Sequence, residues 1–284
     1  VINMKKIQFF ILIIGLLAVL AACGTADQEE PNTGDEQETT NEETQEDTDT
    51  NLYEQIQEDG VITVGTEGTY APFTFHNEED NLTGYDVEVM REVASRLDLE
   101  VEFNETQWDS MFAGLNAERF DVIANQVGIN EERLEKYDFS EPYTYTGAVV
   151  VVPADNEEVT SFEDIEGKQS AQSLTSNFND IAEENGAEVI GVEGLAQAIE
   201  NIKLGRVDLT VNDRLAVLEY INQTGDESVK IAAEEDNVSK TAFAFRKGNE
   251  ELVDAFNEAL VEMREDGTLA ESSEEWFGED VSSQ

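Results

Sequence analysis

Cysteine and histidine are almost missing from this chain, with one of each among 284 residues. A lone Cys23 cannot close an intramolecular disulfide. A lone His76 leaves almost no route to a histidine-based zinc site or a Ser-His triad, so no metal and no cofactor is expected. His76 lies in the polar run HNEEDN and reads as a solvated loop residue. Positive charge is scarce as well. The 16 Lys and Arg stand against 65 Asp and Glu, a formal net charge of -49. Nucleic acid and anionic lipid would be repelled, so neither is an expected partner. The charge fits a very soluble protein from a salty or alkaline habitat. What remains can still build a core: 39% of residues are hydrophobic and 14 are Phe. The length suits one large domain or two small ones.

The amino-terminal stretch has its own composition. Lys5 and Lys6 precede about sixteen mostly apolar residues, Ile7 to Ala22. That is a charged region followed by an apolar one slightly short for a membrane span, as in a signal peptide over 1–22. It closes on LAACG, Leu20 to Gly24, which resembles the lipobox of bacterial lipoproteins. The resemblance implies cleavage before Cys23, a diglyceride on its thiol and an acyl chain such as palmitate on the new amine. Each buried methylene contributes about 0.8 kcal/mol, so two or three chains anchor the protein lastingly. From Gly24 to Asn51 the chain is mainly Thr, Glu, Asp, Gln and Asn. Such a segment cannot bury a core and is expected to be a disordered acidic tether over 23–51. As a neutral coil it would span on the order of 30 Å, and like charges extend it.

Beyond Leu52 short apolar runs alternate with helical patterns. VITVG (61–65), VEF (101–103), DVIAN (121–125), AVVVV (148–152), AEVIGV (187–192), RVDLTV (206–211), SVKIAA (228–233) and TAFAFR (241–246) read as strands. GYDVEVMREVASRL places Val87, Met90, Val93, Ala94 and Leu97 on one helical face, with Asp86 and Glu88 near its start. WDSMFAGLNAERF, EGLAQAIENIKLG and ELVDAFNEALVEMREDG also read as helices. This alternation predicts an α/β fold with mainly parallel sheets. LNAERFDVIANQ and IKLGRVDLTVND are similar helix-to-strand units, so two halves can be drawn. Ligands of open α/β sheets bind beyond the carboxyl ends of the strands, and two such sheets facing each other make a cleft. AVVVVPAD leaves the first lobe and SKTAFAFRKG returns to it. The expected lobes are 52–148 with 239–284, and an inserted 149–238, joined by a double crossover.

GYDVEVMREVASRL, VGTEGTYAPFTF (64–75) and KYDFSEPYTYTG (136–147) together resemble the extracellular solute-binding proteins that serve ABC importers of polar amino acids. The resemblance covers about 53–277. Within that family, ETQWDSMFAGLNAERFDVIANQVGINEER and AQSLTSNFNDIAEENGAEV (171–189) look most like the cystine-binding branch. It implies a two-lobed, type II periplasmic-binding-protein-like clamshell that captures an amino acid, L-cystine in this branch, and is not an enzyme. It further implies a membrane permease and its ATPase as partners, a monomer, and a lipid-anchored place on the outer face of a Gram-positive cytoplasmic membrane. No GxxxxGK[ST] loop occurs in the chain, so the ATPase must be another subunit. Two rival classes remain: a clamshell enzyme such as a cyclohexadienyl-type dehydratase, and a surface protein that senses its ligand.

An α-amino acid carries a carboxylate and an ammonium, and each must be paired when taken from water. Arg133 can be the cation. Asn130 is a candidate N-cap, so Arg133 falls at the third helical position and leans back over a strand end. Spacing alone equally allows a surface ion pair with Glu131, Glu135 or Asp138; the resemblance implies the ligand role. Gly128 stands where the wider family has a hydroxyl residue and can offer only backbone. Thr175 and Ser176 can bind the same carboxylate from the second lobe, or merely cap a helix, or do both. Asp213 can hold the ammonium, as the resemblance implies, or serve as a bare N-cap. Tyr70 and Trp108 are candidate cavity walls or core residues. Glu67 is a candidate for a polar side chain or second ammonium of the ligand, and Asn125 and Gln126 for amide or backbone contacts. For the enzyme, Glu67 is the one carboxylate with a case as acid or base.

Overall fold

The computed structural model describes residues 51–283. The expected signal segment, Cys23 and the acidic tether lie outside these residues, except Asn51. Asn51 accepts a hydrogen bond from the Glu54 N–H at 2.9 Å and caps helix α1 (Leu52–Asp59).

Strand β1 (Val61–Thr66) follows, then a small antiparallel ribbon of β2 (Thr69–Tyr70), β3 (Thr74–His76) and β4 (Leu82–Thr83). Helix α2 (Tyr85–Arg96), β5 (Glu100–Glu105), α3 (Trp108–Asn116), β6 (Val122–Gly128), α4 (Glu131–Lys136), β7 (Tyr137–Phe139) and β8 (Thr144–Thr146) complete this stretch. The chain then passes through Gly147 into β9 (Ala148–Pro153), β10 (Gln169–Gln172), α5 (Asn177–Glu184), β11 (Glu188–Gly191), α6 (Leu195–Lys203), β12 (Thr210–Asp213), α7 (Arg214–Thr224) and β13 (Val229–Glu234). It returns through β14 (Ser239–Arg246) and closes with α8 (Glu250–Asp266) and α9 (Thr268–Phe277).

The fold is the expected two-lobed α/β clamshell. One sheet runs β5-β1-β6-β14-β7, with β8 also on β14; another runs β12-β9-β13. The β8–β9 and β13–β14 connections cross between them side by side, and the Glu235 N–H donates to the Ala148 carbonyl at 2.8 Å. The expectation of mainly parallel sheets needs correction. β1 is parallel to β5 and β6, and β10 to β11, but β9 is antiparallel to both neighbours and β14 to all of its own. The crossing strands enter each sheet without a helical return, so nothing turns them parallel.

Two boundaries also differ. Within RVDLTV only Thr210 onward is strand, because Leu209 makes a single bridge, to Ser170. The helix of WDSMFAGLNAERF stops at Asn116, since Glu118 takes φ +55 and the Arg119 N–H turns back to the Gly114 carbonyl. On α2 the expected face holds: Val87, Met90, Val93 and Ala94 are buried, and Leu97 is partly buried against them.

The start of α2 explains the GYD run. Gly84 sits at φ +124, and a Cβ there would lie 2.3 Å from the Phe73 carbonyl oxygen. That close approach lets the Tyr85 and Asp86 N–H groups reach the Pro72 and Phe73 carbonyls, both at 3.0 Å. The Gly84→Ala variant should lose about 1–3 kcal/mol of stability, read by urea unfolding. An unchanged midpoint would contradict the tight approach.

Candidate functional site

The carboxyl ends of β1, β6 and β12 bring their polar residues to one cleft between the lobes. About 660 Å³ of atom-free space lies there, part of it continuous with solvent. Seven of the ten residues singled out from sequence line it: Glu67, Tyr70, Trp108, Asn125, Gln126, Ser176 and Asp213.

On the first lobe Asn125 fixes Glu67 from both sides. Its Oδ1 accepts the Glu67 N–H at 2.7 Å, and its Nδ2 donates to Glu67 Oε2 at 2.7 Å. Burial pushes the Glu67 carboxyl up to about 7, against the opposing hydrogen bonds from Asn125 and the Trp108 backbone. Gln126 serves differently from the expectation. Its N–H and its Nε2 both donate to the buried Asp86 carboxylate at 2.6 Å. Nε2 also meets Thr144 at 3.1 Å, and its Oε1 accepts from Thr241 at 2.8 Å. Its amide is therefore spent on the scaffold, which holds its backbone at φ +48, a conformation rare outside glycine. Asp86, the acid of the GYD run, is itself raised to about 7, chiefly by burial.

On the second lobe Asp213 caps α7, its Oδ1 accepting the Leu215 and Ala216 N–H groups at 2.8 and 3.2 Å. Asp213 caps the helix through one oxygen and also lines the cavity, so the capping and anion readings are compatible. Burial, ahead of these hydrogen bonds, raises its carboxyl to about 6. Ser176 caps α5 by accepting the Asn179 N–H at 3.1 Å. The Tyr70 hydroxyl donates across the cleft to Asn212 Oδ1 at 2.8 Å.

Arg133, Gly128 and Thr175 are absent from the lining. The cap is as expected, with Asn130 Oδ1 accepting the Arg133 N–H at 2.8 Å, and the side chain does reach back over the end of β6. Its Nη1 then donates to the Gly128 carbonyl at 2.8 Å and its Nη2 to the Thr175 carbonyl at 3.0 Å. The guanidinium lies 5.4 Å from the Trp108 ring centroid and 5.3 Å from that of Phe112. It forms no ion pair with Glu131, Glu135 or Asp138; the ion pair expected of Asp138 is made by Lys247 instead. Desolvation lowers its pKa to about 10. The Thr175 hydroxyl is also spoken for, donating to Asp109 Oδ1 at 2.9 Å.

The cavity thus holds two buried carboxylates, on opposite lobes, with no basic side chain in salt-bridge range. A buried cation stands behind Gly128. The Trp108 indole N–H is buried without a hydrogen-bond partner, and Asn177 and Phe178 line the same space at the start of α5, where N–H groups have no intrahelical partner. No group of three or more His, Cys, Asp or Glu among the described residues is arranged to hold a metal. Sequence reasoning missed Asn212, although it adjoins Asp213, and it missed Asp109, one of many acids at a helix start. Thr146 and Thr241 carried no signal, because only the crossing strands bring them to the cleft.

Comparison with known proteins follows the same line. Residues 62–279 match the model of bacterial extracellular solute-binding proteins, family 3. The chain is 54% identical, over 98% of its length and all of the relative's, to the L-cystine-binding protein TcyA of Bacillus subtilis. The unliganded, open L-cystine solute receptor of Neisseria gonorrhoeae is 49% identical, with 82% of this chain and 99% of that one covered, at a TM-score of 0.56. A Streptococcus pneumoniae ABC uptake transporter substrate-binding protein with bound histidine is 26% identical, with 84% and 100% covered, at a TM-score of 0.77. Shape and identity part company here. This chain superposes better on the histidine-bound protein than on the open receptor despite lower identity, and its own lobes are joined by hydrogen bonds across the cleft.

A carboxyl raised by folding stabilises the protein when protonated and loses that contribution as pH climbs through its folded value. Ligand-free Glu67→Gln should therefore melt higher than the unmodified protein above about pH 8, with the gap closing below about pH 6. A gap independent of pH, by calorimetry, would contradict the burial of this acid.

Proposed function

The chain belongs to the bacterial extracellular solute-binding proteins, family 3, and on that footing we propose that it captures L-cystine outside the cell for an ABC importer. The observation that carries the ligand is the pair Glu67 and Asp213, two desolvated carboxylates facing one cavity from opposite lobes. Cystine is an amino acid doubled through a disulfide, with two ammonium groups to match them. Each ammonium restores ionisation to an acid that burial has pushed toward neutrality. The names of the TcyA relative and the Neisseria receptor support the same ligand.

The rest of the cavity suits the other poles. A carboxylate at the start of α5 meets two free N–H groups and the positive end of the helix. The unpartnered indole N–H of Trp108 is a further donor. Arg133 supplies positive charge to that pole from behind Gly128 and Thr175, where low polarity strengthens its field. The rings of Tyr70 and Trp108, with Phe178 across the cleft, offer apolar surface to the disulfide segment.

Delivery is to a permease coupled to a separate ATPase. A lipidated Cys23 and the acidic tether hold a monomeric clamshell at the outer face of a Gram-positive cytoplasmic membrane. Binding and release through lobe motion require no chemical step, and the matching relatives carry binding names, which disfavours the dehydratase alternative.

Calorimetry with cystine, cysteine, glutamine and histidine tests the ligand. Cystine should bind tightest, near the micromolar scale of about -8 kcal/mol. Asp213→Asn and Arg133→Ala should each cost about 2–5 kcal/mol of binding. Affinity should fall as pH drops from about 8 to about 5, because the ammonium groups need both carboxylates ionised. Cystine binding that ignores pH and Asp213→Asn alike would refute the pairing.

A further inference from the structure

Asp109 occupies the second position of α3, directly after the cavity residue Trp108. Its Oδ1 accepts two hydrogen bonds from Thr175 on the other lobe, the backbone N–H at 3.1 Å and the hydroxyl at 2.9 Å. The Thr175 carbonyl accepts in turn from Arg133 Nη2 at 3.0 Å. One residue of the second lobe is thus held at its N–H, its hydroxyl and its carbonyl by two charged groups of the first. Neither Asp109 nor Thr175 lines the cavity.

Both ends of this contact continue into the binding walls. The Trp108 N–H, one residue before Asp109, donates to Glu67. Ser176, one residue after Thr175, caps α5, whose first residues Asn177 and Phe178 line the cavity. Seating Thr175 on Asp109 therefore brings the two walls into register. The contact also works against a repulsion. At one mouth of the cleft Glu105 shares a groove with Glu193 of the second lobe. At the other, Glu132 shares a groove with Asp180, Glu183 and Glu184. His76 partly answers Glu105 and Lys136 partly answers Glu132, but the acids outnumber these cations and their excess favours an open cleft, which charge-assisted hydrogen bonds at its rim offset.

We propose that Asp109 is a positioning residue whose carboxylate clasps Thr175 to hold the lobes shut over the ligand. The proposal rests on the binding role above for its kinetic test, but not for its structural one. In the closed complex the clasp must break before the ligand leaves, so its loss is read most directly in release.

Stopped-flow binding of cystine to the full chain separates the two rates. Asp109→Ala should raise koff about tenfold or more, with kon changed by less than about threefold. Thr175→Val keeps the backbone bond and should give a smaller rise in koff. The double variant should be no worse than Asp109→Ala, because the hydroxyl then has no acceptor to lose. In parallel, dyes placed on the two lobes should report a wider average separation in ligand-free Asp109→Ala than in the unmodified protein. Unchanged koff with unchanged separation, or additive effects of the two substitutions, would overturn the clasp. If the unmodified protein binds no amino acid, the ligand reading fails and the dye measurement alone decides the clasp.

Discussion

Charge buried without a counter-charge is the constraint around which this molecule is arranged. Glu67 and Asp213 stand on facing lobes, and burial raises each toward neutrality. Arg133 is buried with only carbonyl oxygens for partners. Each of these groups costs free energy in the empty cleft. That cost is what a ligand with complementary charges relieves, so affinity and empty-state instability have one origin. A chain with a net charge of -49 is no obstacle, since exposed acids are screened within about 10 Å in ordinary salt while these desolvated groups are not.

Holding such groups in place falls to a rigid scaffold beneath them. Asp86 is buried so that it can hold Gln126 by backbone and side chain at once, and Gln126 in turn is fixed by Thr144 and Thr241 at the crossing strands. The same β6 segment carries Asn125, which aims Glu67. A run that looks like the start of a helix, Gly84 to Asp86, is therefore a brace for the floor of the cavity. Buried polar networks of this kind are stable only when every member is satisfied, which explains why the Gln126 side-chain amide is committed to Asp86, Thr144 and Thr241.

Much of this was legible along the chain. The apolar face of α2, the N-caps at Asn130 and Asp213, and the exchange of strands between two sheets follow from periodicity and local hydrogen bonding, which act over a few residues. Reading strand direction was harder. Alternating strands and helices suggest parallel pairing, but β9 and β14 are crossing strands whose direction depends on which sheet they enter. The side-chain roles split in the same way. Glu67 and Asp213 came to the cavity as polar residues at strand ends should. Thr175 reads as a helix-start hydroxyl, and only the far lobe reveals that Asp109 takes it.

Sequence by itself determined the class of the molecule: two α/β lobes joined by a double crossing, with polar residues at the strand ends. Those features rest on hydrophobic pattern and turn chemistry, which each segment carries alone. The tertiary structure decided which polar groups remain free. It committed Gln126 to Asp86 and Thr175 to Asp109, set Arg133 behind the cavity, left Glu67 and Asp213 hydrogen-bonded but without a cation in salt-bridge range, and left the Trp108 indole N–H without a hydrogen-bond partner. Whether a polar group is satisfied depends on what approaches it through space from distant segments, and no local pattern encodes that.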